Sequence, residues 1–552
     1  MNESTLQIHP NDNVAVALTD LRKGEEVKNN GNSYLLVSDI PAKHKFALTD
    51  IPEEGNIIMY GVLVAKASHL IPQGDLLTTR NVRHATGSYG LKERKTKWHQ
   101  PDISNWRKKN FMGYHRADGS VGVANHWIVI PLVFCENKNV DVLREAFMKA
   151  LGYQPKQSSY QDMVQRLVAS YQSGMTEKEI AVANISPGEL NEQHLQKIFP
   201  NIDGIKFLTH TLGCGGTRQD ARALCGLLAG YITHPNVAGA TVLSLGCQNA
   251  QVSLLKEEIE KRDSHFSKPF VILEQQRVGN EQELLKQAIQ QTFCGLMIAN
   301  KNKREPAPLS KLCLGMECGG SDGFSGISAN PAVGYVSDLL VTLGGSVILS
   351  EFPELCGVEQ ELSDRCVDET TAKRFLELMN TYNEKAIAAG SGFYANPSPG
   401  NIRDGLITDA IKSAGAAKKG GNSPVTDVLD YPEKVTKPGL NLLCTPGSDI
   451  ESTTAEVGAG ANIVLFTTGL GTPTGNPIAP VLKLSSNSAL YKKMNDIIDI
   501  DTGSIINGTE TIEQAGSRIL DYVIKVASGE QKAKADLLQH DDFIPWKRGI
   551  SL

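Results

Sequence analysis

Six polar, glycine-rich segments of this 552-residue chain carry cysteine, histidine, aspartate and glutamate among them. They read 209-THTLGCGGTRQD-220, 246-GCQNAQ-251, 317-ECGGSDGFSG-326, 351-EFPELCG-357, 445-TPGSDIE-451 and 467-TTGLGTPTGNP-477. Three of them deliver a cysteine next to glycine: Cys214, Cys247 and Cys318. Glycine admits positive φ and lets backbone approach a ligand closely. Thiolates at three such loop tips suit iron, either as one ion or as an iron–sulfur cluster with an open iron position. His210 stands four residues before Cys214 and suits a metal ligand or a general base near neutral pH. Glu317 and Asp322 flank the Cys318 glycines, and carboxylates of this kind suit Fe2+, Mn2+ or Mg2+. The structural alternative there is a helix cap made by Ser321 or Asp322. Arg218, Arg403, Lys412, Lys418 and Lys419 lie in polar stretches and are able to hold a substrate carboxylate. Cys135, Cys225, Cys294, Cys313, Cys356 and Cys366 read as core-filling thiols.

The six segments share a position, since each follows a predicted strand: 204–208, 240–245, 311–316, 346–350, 441–444 and 461–466. Helical periodicity lies between the strands, over 219–234, 250–262, 280–300, 362–385 and 511–528. Alternating strands and helices argue mainly parallel sheets, in which ligands bind beyond the carboxyl ends of the strands. Residues 1–85 differ, with short β-type runs such as 13-NVAVAL-18 and 57-IIMYGVLVAKA-67. The expected architecture is therefore α/β, with a small all-β N-terminal domain (1–85), a linker (86–110) and two α/β lobes (111–305 and 306–552). Residues 391–424 read as one long loop.

Composition narrows the function. Hydrophobic content of 41 %, charged content of 21 % and a net charge of −6 are those of an ordinary globular protein. No basic block marks a nucleic-acid face, and no apolar run is long enough to span a bilayer. The start carries no signal-peptide pattern, so a cytoplasmic setting is expected. Ten cysteines without a CxxC pair are not a disulfide framework or a zinc ribbon. P-loop, GxGxxG and GxSxG fingerprints are absent from the contexts they require.

The segments 317-ECGGSDGFSGISANP-331, 351-EFPELCGVEQEL-362, 396-NPSPGN-401 and 463-IVLFTTGLGTPTGNP-477 closely resemble the altronate/galactarate dehydratases. NDNVAVAL and KHKFALTDI near the start resemble that family's small β-clip (SAF) domain. The resemblance covers nearly the whole chain. It implies a hydro-lyase that removes water from a sugar acid, altronate or else galactarate or another uronate-derived acid. For altronate the product is 2-keto-3-deoxygluconate. It also implies dependence on Fe2+ or Mn2+, and a homo-oligomer, expected as a dimer. Under it His210, Glu317, Asp322 and Lys412 are expected to be catalytic. Cys214, Cys247 and Cys318 are expected to hold metal. Arg218, Ser321, Asn396, Asn401, Thr467 and Thr468 are expected to contact substrate. Three departures stand out. Leu76, Thr78 and Arg80 replace an alternating histidine run; Ala410 and Ile411 replace an acidic pair and Ala416 a cysteine; and the loop after Cys214 reads GGTRQD, which adds Arg218 and a different polar set. The retained His44, His69 and His84 are possible substitutes, and a sugar-acid binder without catalysis is the alternative that the departures favour.

Overall fold

The computed structural model describes residues 4–153, 159–185 and 196–551. The N-terminal part is all β, made of short antiparallel strands that include hairpins Glu26–Asn29/Asn32–Leu35 and Asn56–Met59/Val62–Ala67. The two hairpins turn through Asn30-Gly31 and Tyr60-Gly61, with all four residues at positive φ. That is the paired left-handed geometry which matches strand twist in two-residue hairpins.

The first α/β lobe holds four parallel strands: β1 (His126–Pro131), β2 (Gly204–Phe207), β3 (Val237–Ser244) and β4 (Phe270–Glu274). Their order across the sheet is β2-β1-β3-β4. β3 is buried along its whole length, as a strand covered on both faces must be. Between β2 and β3 runs helix α1 (Arg218–Thr233), started by a reciprocal cap between Thr217 and Asp220.

The second lobe is a larger parallel sheet. Its strands are β5 (Cys313–Cys318), β6 (Ser346–Leu349), β7 (Val425–Asp430), β8 (Gly439–Cys444), β9 (Ile463–Thr468), β10 (Val481–Ser485) and β11 (Ile500–Asp501). The order is β7-β8-β6-β5-β9-β10-β11. The architecture is thus the expected one, a small all-β region followed by two parallel α/β sheets. β7, β10 and β11 escape the sequence reading because they are short or interrupted by polar residues.

The long loop expected over 391–424 is corrected. It contains two short helices, Pro399–Arg403 and α2 (Asp409–Ala416), followed by a 3-10 turn at Ala417–Gly420. Ser398 and Thr408 cap the two helices. α2 is buried and only eight residues long, and half of those residues are alanine or glycine, so it is too short to stand out among the turn-forming residues around it. Its small side chains allow close approach, and a Cβ on Gly326 would lie 2.8 Å from Gly415 Cα.

The lobes share a core. α1 packs against helix α3 (Asp449–Ala459) of the second lobe so tightly that a Cβ on Gly230 would sit 2.2 Å from the Gly458 carbonyl oxygen. Leu227, Tyr231, Val457 and Phe466 lie in one apolar cluster across this seam. The segment after the β domain runs along the second lobe, where Gly90 N–H donates to Gln360 (3.0 Å) and the Trp106 indole to Asp521 (2.9 Å). No helix among the described residues is long and apolar enough to cross a membrane.

One loop of the β domain docks closely on the second lobe. Lys43 has φ 75° and reaches Asp322 (3.0 Å) and Asp404 (2.9 Å). Its carbonyl oxygen presses on Gly323 and Gly405, where added Cβ atoms would lie 2.2 and 2.4 Å away. Lys45 is buried beside it and donates to Gly405 O at 2.7 Å and Lys43 O at 3.1 Å. Burial pushes its ammonium down from 10.5 to about 7, only partly offset by Asp322. Between those two pH values the unfolded chain holds a proton that the folded protein has released. Stability contributed by this residue therefore rises with pH above about 7. We predict that the urea midpoint increases from pH 7 to pH 9 in the wild type, and that Lys45→Met removes that part of the slope. An identical slope in the variant would assign the effect to another group.

Candidate active site

Sheet order locates the site. Connections leave β5 toward β6 on one side, and the chain later returns to β9 on the other. A crevice opens at such a reversal, beyond the carboxyl ends of the two strands. Here those ends are Glu317-Cys318 on β5 and Thr467-Thr468 on β9. Beside them β6 delivers Ser350, Glu351 and, one turn on, Glu354. The short α2 and the turn after it bring Lys412 and Lys419.

These groups form a buried charge cluster. The Cys318 thiol donates to Glu354 Oε2 (3.4 Å) and Glu351 Oε2 (3.5 Å). Lys419 donates to Cys318 Sγ and to Glu351 Oε2, both at 2.9 Å. Lys412 donates to Glu354 Oε1 (2.6 Å) and Asn396 Oδ1 (2.9 Å), and Asn396 closes the triangle on Glu354 at 3.0 Å. Beneath them Ser350 donates to Glu456 (2.8 Å) and Glu317 (3.2 Å). Glu351 takes left-handed backbone (φ 62°, ψ 59°), uncommon for a residue with a side chain. Its amide is fixed there by Thr445 Oγ1 at 2.8 Å.

Five carboxyl groups (Glu317, Glu351, Glu354, Asp449 and Glu456) face two lysines here. Burial, then the neighbouring Glu351 and Glu456, lifts Glu317 well above the carboxylate range. Burial raises Glu456 to about 8. Asp449, half-buried and abutting Gly319, is raised to about 7 by burial and by Glu351 and Glu354. Burial opposes the Glu354 carboxylate, yet Lys412 and Lys419 bring it below its ordinary value. Burial likewise opposes the Lys419 ammonium, and the surrounding Cys318 and Glu351 hold it charged.

The donor set fits a divalent cation. One ligand atom each from Cys318, Glu351 and Glu354 lie within 4.8 Å of one another, the only such trio among the described residues. A sulfur with two carboxylates suits Fe2+ or a neighbouring first-row ion. Glu317 Oε1 and Glu351 Oε1 are buried without hydrogen-bond partners, and the surplus of acids over lysines favours added positive charge.

The other expected site residues fall into three groups. Glu317, Lys412 and Asn396 join Cys318 in the cluster. Ser321, Asp322, Asn401, Thr467 and Thr468 lie on the same rim but are engaged by protein. Asp322 Oδ1 accepts from Ser325, Phe324 and Ser486, while Oδ2 meets Lys43. Asn401 caps its helix and donates to Ser321 O at 2.7 Å. Thr467 donates to Asn330 (2.7 Å), and Thr468 accepts from Gly471 N–H (2.9 Å). His210, Arg218, Cys214 and Cys247 sit instead on the first lobe. His210 is buried, with Nε2 2.7 Å from Pro131 O and Nδ1 accepting from Leu212 N–H, and burial lowers it to about 4. Both ring nitrogens are thus occupied by backbone. Arg218 is exposed at the start of α1. The three cysteines expected together are therefore split between two lobes.

Sequence reasoning gave no role to Glu351, Glu354, Asp449 or Glu456. The signal for Glu351, Glu354 and Asp449 was present in the strand-end segments EFPELCG and TPGSDIE, while Glu456 lies further along, inside α3. At the departures from the family pattern, His84 from the β domain meets Asp409 at 2.5 Å, one residue before Ala410. That hydrogen bond raises the imidazole above its ordinary value.

Fold and site together define a two-lobed α/β protein with a small all-β N-terminal region and a buried cysteine–carboxylate–lysine cluster at one sheet end. The chain matches the family models described as "Altronate/galactarate dehydratase SAF domain" (3–85), "D-galactarate dehydratase/Altronate hydrolase, second domain" (113–300) and "D-galactarate/Altronate dehydratase, C-terminal" (309–551). It is 34 % identical to the altronate dehydratase of Escherichia coli (strain K12), over 99 % of each chain. It is also 34 % identical to that of Bacillus subtilis (strain 168), over 100 % of each. To the galactarate dehydratase (L-threo-forming) of Escherichia coli it is 32 % identical, over 96 % of this chain and 94 % of the relative. The chain belongs to the altronate/galactarate dehydratase family.

Lys419 and Glu351 are each 1 % exposed, so the pair is shielded from solvent screening. Lys419→Met strands the Glu351 carboxylate and is expected to cost about 3–5 kcal/mol in urea unfolding. Lys419→Met with Glu351→Gln is expected to recover part of that loss. Equal loss in the single and double variants would show that the pair carries no coupling.

Proposed function

We propose that the chain dehydrates D-altronate to 2-keto-3-deoxy-D-gluconate. The observation that carries this reading is similarity to two altronate dehydratases along the entire chain. The Cys318 cluster supports it, because it offers the groups the reaction needs at one sheet end. The C2 proton of an aldonate lies beside a carboxylate and is weakly acidic. Its removal builds negative charge over the carboxylate and C2, and fixed positive charge in a dry site is the strongest means of stabilising it.

Lys419 is held charged at the base of the crevice, where it attracts the substrate carboxylate. Lys412 spends two N–H groups on Glu354 and Asn396, which leaves the third to meet a hydroxyl. Asp449 stands half-exposed at the rim and takes the C2 proton as general base. Lys412 gives a proton to the C3 hydroxyl, which departs as water and leaves an enol that tautomerises to the 2-keto acid; the proton on Asp449 then restores Lys412, and Asn396 orients a neighbouring hydroxyl. Cys318, Glu351 and Glu354 would hold Fe2+ or Mn2+, which supplies Lewis-acid polarisation of substrate oxygens when bound. Ten free thiols support a reducing, cytoplasmic setting.

The test is turnover. Protein purified anaerobically and supplied with Fe2+ or Mn2+ is expected to form 2-keto-3-deoxy acid from D-altronate faster than from galactarate. Asp449→Asn is expected to lower kcat by about 10²–10⁴-fold, the range of a lost general base. Cys318→Ser is expected to lower both retained metal and rate. Absence of product from D-altronate with either metal would sink the reading, and preference for galactarate would transfer it to that substrate.

A further inference from the structure

The first lobe repeats the same placement with different chemistry. Its order β2-β1-β3-β4 means that the chain leaves β1 toward one edge and returns across it to β3. The switch-point crevice therefore lies between the carboxyl ends of β1 and β3. Cys135 follows β1, Cys247 follows β3 and Cys214 follows the adjacent β2. All three are exposed and free. The sequence reading put Cys135 in the core, and the structure corrects this. Cys294, also read as core, is exposed too, but on a helix. Cysteine is among the most buried residue types, so three exposed thiols at one sheet end are unusual.

The three loops are stitched to one another. Phe134 N–H donates to Leu212 O at 3.0 Å, which places the Cys135 turn against the Cys214 loop. Ala250 N–H donates to Gly213 O (3.1 Å) and Asn249 Nδ2 to Cys214 O (2.7 Å), which ties in the Cys247 loop. Cys214 and Cys247 are each preceded by a glycine at positive φ, Gly213 at 103° and Gly246 at 124°. A Cβ on Gly213 would lie 2.4 Å from Leu132 O, so glycine is what lets the Cys214 loop dock against the end of β1.

Other ligand types near these thiols are already engaged. His210 spends both ring nitrogens on backbone, and the Glu136 carboxylate accepts from Asn139 at 2.7 Å. The three cysteine sulfurs do not all lie within 4.8 Å, unlike the trio at Cys318. They are therefore not drawn together as the ligand shell of a single ion.

We propose that Cys135, Cys214 and Cys247 together bind an iron–sulfur cluster at the switch point of the first lobe, with one iron left without a protein thiolate. This site goes beyond the dehydratase reading and is separate from the Cys318 trio.

The experiment uses the full chain, reconstituted anaerobically with ferrous iron and sulfide. Expected are about four irons and four acid-labile sulfides per chain and a broad visible absorbance, as for a cubane cluster. Cys135→Ser, Cys214→Ser and Cys247→Ser are each expected to lose the absorbance, while Cys294→Ser and Cys318→Ser keep it. Circular dichroism of each variant reports its folding, and the wild-type stoichiometry stands independently of the variants. Iron bound without labile sulfide, a disulfide between two of the three thiols in anaerobic protein, or full absorbance in all three single variants would overturn the proposal. None of these readouts depends on turnover, so failure here is distinguishable from failure of the altronate reading.

Discussion

Like charges crowded at one sheet end are the constraint around which the second lobe is built. Glu317, Glu351, Glu354 and Glu456 are all buried at the carboxyl edge of a parallel sheet. Such a group is stable only if its members are protonated, paired or bridged by a cation. Each of these solutions has its own structural support. Ser350 supplies hydrogen bonds to Glu317 and Glu456, while Lys412 and Lys419 supply charge to Glu354 and Glu351. The lysines come from the 399–420 region, which explains why that stretch is folded rather than loose. A flexible loop would lose more entropy in bringing two ammonium groups to fixed points inside the protein. Capped short helices have already met that cost.

The left-handed backbone at Glu351 belongs to the same requirement. It turns the chain sharply as β6 ends, so that Glu351 and Glu354 both face Cys318. An ordinary extended exit would carry the two side chains apart. Strain of this kind persists only where the surroundings hold it, and here the Thr445 hydroxyl and the Lys419 pair do so. The β domain contributes from outside. Lys43 binds Asp322 and Asp404, two acids on the rim, and thereby fixes the CGGSDG turn that follows Cys318.

Much of this was legible in the sequence, for identifiable reasons. Both parallel sheets announced themselves because strands such as 126–131 and 463–468 are largely apolar runs, the second followed directly by Gly469. Rim residues such as Cys318 were visible for the same reason. What stayed hidden depends on strand order, which no local pattern encodes. Cys214, Cys247 and Cys318 look equivalent along the chain, and only the pairing of β1 with β3 and of β5 with β9 shows that they belong to different lobes. Cys135 looked like filler because it follows the apolar run HWIVIPLVF, yet the chain has already turned out of the sheet before it. Glu351 and Glu354 were passed over because acids near a strand end are usually solvated. α2 was missed because it is only eight residues long and lies among residues rich in turn signals.

The two cysteine-bearing rims are not independent bodies. α1 begins at the rim of the first lobe and α3 at the rim of the second, and they meet through Gly230 and Gly458 without side chains between them. The final segment of the chain closes the same seam from above. Arg548 reaches Asp430 at the end of β7 (2.9 Å), and the Arg548 and Gly549 amides donate to Asp220 on α1, both at 3.0 Å. Trp546 stacks on Tyr382 and lies edge-on to Tyr431, which anchors the segment to the second lobe. The Cys214 loop is therefore joined to the second lobe by packed backbone and a guanidinium–carboxylate pair. The glycines at this seam are as much a part of positioning the chemistry as the glycines beside the cysteines.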